Sequence, residues 1–118
     1  SNHQLDTAWP KVERGRRRLA ALLAPGGKDP DAEYLEEGLL ALLADRELAE
    51  DRLLPQTGIG PEWEKKLSAA FIVAPGYGTR ASTVLLIGAD GEVRFRERSF
   101  GENGALLEDR MFRFAAAT

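Results

Sequence analysis

The hydrophobic period of this chain changes once, near Thr79, and that change limits the folds open to it. Before it, apolar residues recur at helical spacing: Leu35, Leu39, Leu40 and Leu43 fall on one stripe of a single helix. After it, Thr83-Val84-Leu85-Leu86-Ile87 is a β-branched, apolar run, and Val93 and Phe95 alternate with Arg94, Arg96 and Arg98. Asp90-Gly91 between the two runs is a hairpin signal. A last strand is expected around Met111-Phe112-Arg113-Phe114. The expected class is therefore α+β: helices over about residues 10–70, then a three-stranded antiparallel meander over about residues 71–115.

Punctuation residues divide the helical half. Pro10 suits the first turn of a helix that runs through Val12, Leu19, Leu22 and Leu23 and stops at Pro25-Gly26-Gly27. A second helix, over 30–44, is expected to start at Asp29-Pro30-Asp31 with Asp29 as N-cap. Gly38 within it either weakens the helix or lets a neighbour pack close. Residues 45–52 could form a further short turn. A third helix is expected from Pro61, with Trp63, Leu67 and Ala70 on one face, ending near Phe71-Ile72-Val73. The run 83–87, apolar on both faces, reads as a central strand covered on both sides.

Composition excludes several function classes. The chain has 118 residues, enough for one core, and it contains no cysteine and one histidine. Disulfides, thiolate metal sites and a cysteine nucleophile are therefore absent from these residues, and no metal site or other cofactor is expected. A net charge of −3, from 19 acids and 16 bases, gives no pull toward nucleic acid or an anionic membrane. No apolar run approaches the roughly 20 residues that span a bilayer, and no secretory core is present. The expected location is cytoplasmic.

Gly76-Tyr77-Gly78-Thr79-Arg80 holds the candidate chemistry. A phosphate-binding loop needs a helix after its glycines, and here a strand follows, so a turn is the better reading. Arg80 stands where that loop enters the 83–87 strand, a place from which a guanidinium could hold a carboxylate, a phosphate or a developing oxyanion. A structural salt bridge is the competing explanation. Arg94, Arg96 and Arg98 could form an anion-binding row, but such a row is more often a solvated sheet face, or one neutralised by acids on the next strand. Arg14, Arg16, Arg17 and Arg18 read as a solvated helix surface, and Trp9 and Trp63 as core or staple residues.

Two stretches resemble the NRDE proteins, the transport and Golgi organization family. Ser1-Asn2 and Leu5-Asp6-Thr7-Ala8-Trp9-Pro10-Lys11-Val12 resemble that family's Leu-Ser-Asn…Leu-Asp-Thr-Pro-Trp-Pro-Lys-Val segment. Leu54-Pro55-Gln56-Thr57-Gly58, Glu62-Trp63-Glu64 and Tyr77-Gly78-Thr79-Arg80-Ala81-Ser82-Thr83-Val84-Leu85 resemble its later part. NRDE proteins begin Met-Cys and carry an Asn-Arg-Asp-Glu motif soon after, and neither lies in these residues. By resemblance, residues 1–118 form a single partial domain, the C-terminal part of a larger protein.

The family is in turn similar to N-terminal-nucleophile hydrolases. That likeness implies an αββα sandwich in which a residue-one nucleophile attacks an amide carbonyl, with its own α-amine as base. It implies Asn2 and Arg80 as catalytic residues, with Tyr77 and Thr79 beside them as ligand-binding residues. Without the nucleophile the chain is expected to be inactive alone. The implied partner is the N-terminal half of the same protein, or a second copy pairing through an exposed sheet edge. Eukaryotic members are linked to lipid or haem handling. The alternative is therefore a non-enzymatic carrier or trafficking protein, whose axial haem ligand would be sought among His3, Tyr77 and Met111.

Overall fold

A computed structural model describes residues 7–24 and 30–117. Three α-helices precede five strands, in the order α1 (Pro10–Leu23), α2 (Ala32–Leu43), α3 (Pro61–Lys66), β1 (Val73–Ala74), β2 (Tyr77–Gly78), β3 (Ala81–Ile87), β4 (Glu92–Phe100) and β5 (Leu106–Ala115). The α+β class and the three-stranded antiparallel meander are as expected. β3, β4 and β5 form one sheet in that order, and β1 and β2 form a separate two-residue hairpin.

The helices start where local chemistry permits. Pro10 occupies the first turn of α1. α2 begins later than expected: its N-cap is Asp31, whose side chain accepts from the Tyr34 amide at 3.3 Å, and Pro30 lies outside the helix. Asp29 lies outside the described residues, as does the stop at residues 25–27. Gly38 has the role of close approach. A Cβ there would meet the tip of the Leu22 side chain, so the glycine leaves room for Leu22 of α1 to pack directly on the backbone of α2. α3 ends at Lys66, well short of Phe71. Trp63 and Ala70 are exposed, and the buried residues of this stretch are Glu64, Ser68, Ala69 and Phe71. Helical spacing misplaced the inner face here because six residues of helix are too few for periodicity to register.

The sheet reverses the expected division between inside and outside. Cross-strand partners share a face, so the register puts Ser82, Arg98 and Asp109 together, then Val84, Arg96 and Met111, then Leu86, Arg94 and Arg113. That face lies under α2. The arginines are therefore largely covered: Glu36 of α2, only 2% exposed, accepts from Arg94 Nε at 3.2 Å and from Arg96 Nη1 at 3.0 Å. Arg96 also reaches Glu37 and makes a bidentate pair with Asp109 at 3.0 and 2.9 Å, and Arg98 joins Asp109 at 3.0 Å. Neutralisation by the neighbouring strand is correct, a solvated face is not, and α2 supplies two acids that sequence spacing could not reveal.

The opposite face carries Leu85, Phe95 and Phe112 in one ladder and Ile87, Val93 and Phe114 in the next. Of these, Leu85, Ile87, Phe112 and Phe114 are exposed. β3 is an edge strand with one open face rather than a central strand covered twice, and β4 holds the centre. Val84 and Leu40 close the covered side.

The charge network makes stability depend on pH. Hydrogen bonds from Arg96 first, then Arg98, pull the Asp109 carboxyl down to about 2 from 3.8. A group with a depressed folded pKa contributes above its unfolded pKa and loses that contribution as pH falls through the folded one. The carboxylate is partly solvated, so the effect is discounted to on the order of 1 kcal/mol, lost between about pH 4 and pH 2. Urea unfolding of wild type and Asp109→Asn across that range should show the gap between them closing toward acid. A constant gap would mean the carboxylate is not held by these arginines.

Candidate functional site

The β1–β2 hairpin is built to expose its tip. Pro75 and Gly76 make the turn, with Gly76 at φ 69, a conformation glycine adopts without strain. Gly78 must also be glycine, because a Cβ there would stand 2.8 Å from the Ile72 carbonyl oxygen. Thr79 locks the base of the hairpin. Its amide donates to Ile72 O at 2.9 Å and its hydroxyl oxygen accepts from Ile72 N at 3.0 Å.

Residues 72–80 and 101–104 enclose a cleft of about 490 Å³. Arg80 stands at its rim, exposed, with its carbonyl accepting from the Phe100 amide at 2.8 Å. Its guanidinium has no hydrogen bond or ion pair among the described residues, whereas Arg94, Arg96, Arg98, Arg110 and Arg113 are all paired. Among the described residues, the salt-bridge alternative for Arg80 has no partner. Asn103, at φ 58, holds the opposite lip, and asparagine tolerates that left-handed backbone.

Of the residues singled out from sequence, Arg80, Tyr77 and Thr79 line this one cleft. Asn2 lies outside the described residues. Thr79 is committed to the hairpin through one lone pair of its hydroxyl oxygen, which leaves the hydroxyl proton and the second lone pair for a ligand. Tyr77 is exposed and meets Trp63 edge to face, with centroids 6.3 Å apart. Of the axial-ligand candidates, Tyr77 and Met111 are not brought together, since Tyr77 belongs to the hairpin and Met111 borders the charged groove beside Glu36, and His3 lies outside the described residues. Among the described residues, no cluster of three or more His, Cys, Asp or Glu could hold a metal.

A second cavity, about 300 Å³, lies behind the hairpin and shares Ile72 and Tyr77 with the first. Sequence reasoning missed its two charged residues. Lys11 is half-buried, donates to Leu67 O at 2.9 Å, and burial lowers its ammonium below the usual lysine range. Glu64 is 5% exposed and accepts from the Thr57 amide at 2.7 Å and the Thr57 hydroxyl at 2.6 Å, both on Oε1. Lys11 sits in the Trp9-Pro10-Lys11-Val12 motif, where nothing in the sequence marks it as covered. Nothing local distinguishes Glu64 from Glu62, two residues earlier on the exposed side of the helix. Arg14 departs from the solvated surface expected of it: it is mostly covered and pairs with Asp45 at 3.0 Å and Glu47 at 2.8 Å.

Among the described residues, no helix is long and apolar enough to cross a membrane. The family model described as Transport and Golgi organisation 2 matches residues 1–102. The chain is 37% identical over 106 residues to the Transport and Golgi organization protein 2 homolog of Bos taurus, and 34% identical over 106 residues to that of Homo sapiens. Each alignment covers 84% of this chain and 37% of the relative, so the chain spans little more than a third of the curated relatives it matches. A family match over most of the chain, agreeing with the motifs around Trp9, Gln56 and Arg80, makes this chain a member of the Transport and Golgi organisation 2 family, the family also named for its Asn-Arg-Asp-Glu motif.

Proposed function

We propose that this chain supplies one wall of an amide-hydrolase site whose nucleophile is contributed by an N-terminal half of the same protein. The single observation that carries the reading is Arg80, a guanidinium without a partner among the described residues at the rim of a cleft built from backbone turns. In the complete site Arg80 holds the substrate carboxylate or the developing oxyanion, a role that needs a cation not already neutralised. Asn2 is the second donor, and Tyr77 and Thr79 border the bound group. The cysteine-free chain has no nucleophile of this kind, so by itself it is inactive.

The exposed ladders of Leu85, Phe112, Ile87 and Phe114 support the sandwich that this reading requires, since a second sheet would cover them. So does the groove of about 460 Å³ between α1, α2 and the open edge of β3, which has room for further chain. Pairing of two copies through that edge is what a lone chain would do instead. A cytoplasmic location goes with the cysteine-free composition. A haem carrier finds less support, because Tyr77 and Met111 border different clefts.

The test compares amide hydrolysis by the isolated chain with that of a longer polypeptide that begins with the nucleophilic cysteine. The longer form should turn over, and Arg80→Ala should lower its kcat/KM by roughly 10²-fold. The isolated chain should show none. Turnover by the isolated chain, or an Arg80→Ala variant as active as its parent, would overturn the proposal.

A further inference from the structure

The cavity behind the hairpin presents two opposite charges that do not satisfy one another. Glu64 has one carboxylate oxygen, Oε1, filled by Thr57, and no partner among the described residues for Oε2. It is nine-tenths buried and forms no ion pair among those residues. Lys11 spends one of its three N–H groups on Leu67 O and lies 5.9 Å from the Trp9 ring centroid, again without a carboxylate partner among the described residues. Both line the same cavity, between the apolar walls of Trp9, Ile59, Leu67 and Tyr77.

Covered charges are stable only when paired or hydrogen-bonded, because burial strips away their water. Two half-satisfied charges of opposite sign lining one cavity would be completed together by a dipolar guest. An anion alone leaves the carboxylate without a donor and adds its own charge beside it. A cation alone does the same to the ammonium. The volume, about 300 Å³, is at the small end of ligand sites and suits one compact molecule better than a long acyl chain or a macrocycle.

We propose that this cavity is a binding site for a free α-amino acid with an apolar side chain, its ammonium on Glu64 Oε2, its carboxylate on the Lys11 ammonium, and its side chain among Trp9, Ile59 and Tyr77. The site is distinct from the Arg80 cleft and does not rest on the hydrolase reading.

The probe is L-leucine, titrated into the chain by calorimetry and by tryptophan emission, since Trp9 forms part of the wall. Three analogues dissect it: isocaproate lacks the amine, isoamylamine lacks the carboxylate, and glycine lacks the side chain. Leucine should bind and each analogue should bind at least about tenfold more weakly, the ratio that ~1.4 kcal/mol of lost pairing gives. Lys11→Met should weaken leucine about tenfold while leaving isoamylamine unchanged. Glu64→Gln should weaken leucine similarly while leaving isocaproate unchanged, a pattern that a merely structural role would not produce. Should either variant misfold by circular dichroism, the wild-type series decides alone. No heat and no emission change with leucine, or equal binding of leucine, isocaproate and isoamylamine, would overturn the assignment.

Discussion

Glu36→Ala should destabilise the chain by about 3–5 kcal/mol, the range for removing one partner of a buried ion pair. Glu36 is the carboxylate most deeply enclosed beneath α2, and it neutralises two arginines at once. Arg96 would keep Asp109 and Glu37, but Arg94 would be left with Glu92 at 4.0 Å and its desolvation largely uncompensated. Most of the loss should therefore trace to Arg94. The double variant Glu36→Leu with Arg94→Leu should recover much of it, because replacing a buried pair with apolar groups is often neutral. Equilibrium urea unfolding with an unchanged slope is the measurement. A loss under about 1 kcal/mol for Glu36→Ala would mean water reaches this network freely. Glu37, exposed on the same helix, sets the contrast: Glu37→Ala should cost no more than about 1 kcal/mol.

Phe71→Ala should be of similar size, about 3–5 kcal/mol, and should also damage the Arg80 cleft. The ring is 2% exposed, meets Phe100 edge to face with centroids 4.7 Å apart, and has the Arg46 guanidinium 4.8 Å from its centre. It is also the floor of the 101–104 loop: a Cβ on Gly104 would come within 3.0 Å of Phe71 Cε1. Arg46 donates to the Gly104 carbonyl at 3.3 Å from above the same ring. Loss of the ring should therefore loosen the loop before the sheet. Hydrogen exchange at the Gly101 amide, which donates to Ala105 O, should accelerate more than exchange along β4. Uniform acceleration would mean Phe71 supports the whole core and not the cleft in particular.

The two charge-bearing cavities differ in how far residue types alone could lead to them. Arg80 is visible as a cation at a loop-to-strand junction, and among the described residues the fold gives it no partner there. Lys11 and Glu64 were not visible, because their significance lies in being covered on the same cavity. Residues 53 positions apart acquire that relation only when α1 and α3 are brought together. The arginine row gives the same lesson with opposite sign. Alternation placed Arg94, Arg96 and Arg98 on one face correctly, and hydrophobicity then assigned that face to water. The acids that reverse the assignment come from α2, some sixty positions earlier.

The amino-acid sequence by itself determined the local elements and the family: helix starts at Pro10 and Pro61, the Asp90-Gly91 hairpin, strand alternation, and the motifs around Trp9 and Arg80. These depend on backbone sterics and short-range periodicity, which neighbours in the chain specify. Tertiary structure alone decided which sheet face is covered, that 81–87 is an edge strand, and which charges share a cavity. Each of these follows from side chains far apart in sequence losing water together, and no short window of sequence encodes that.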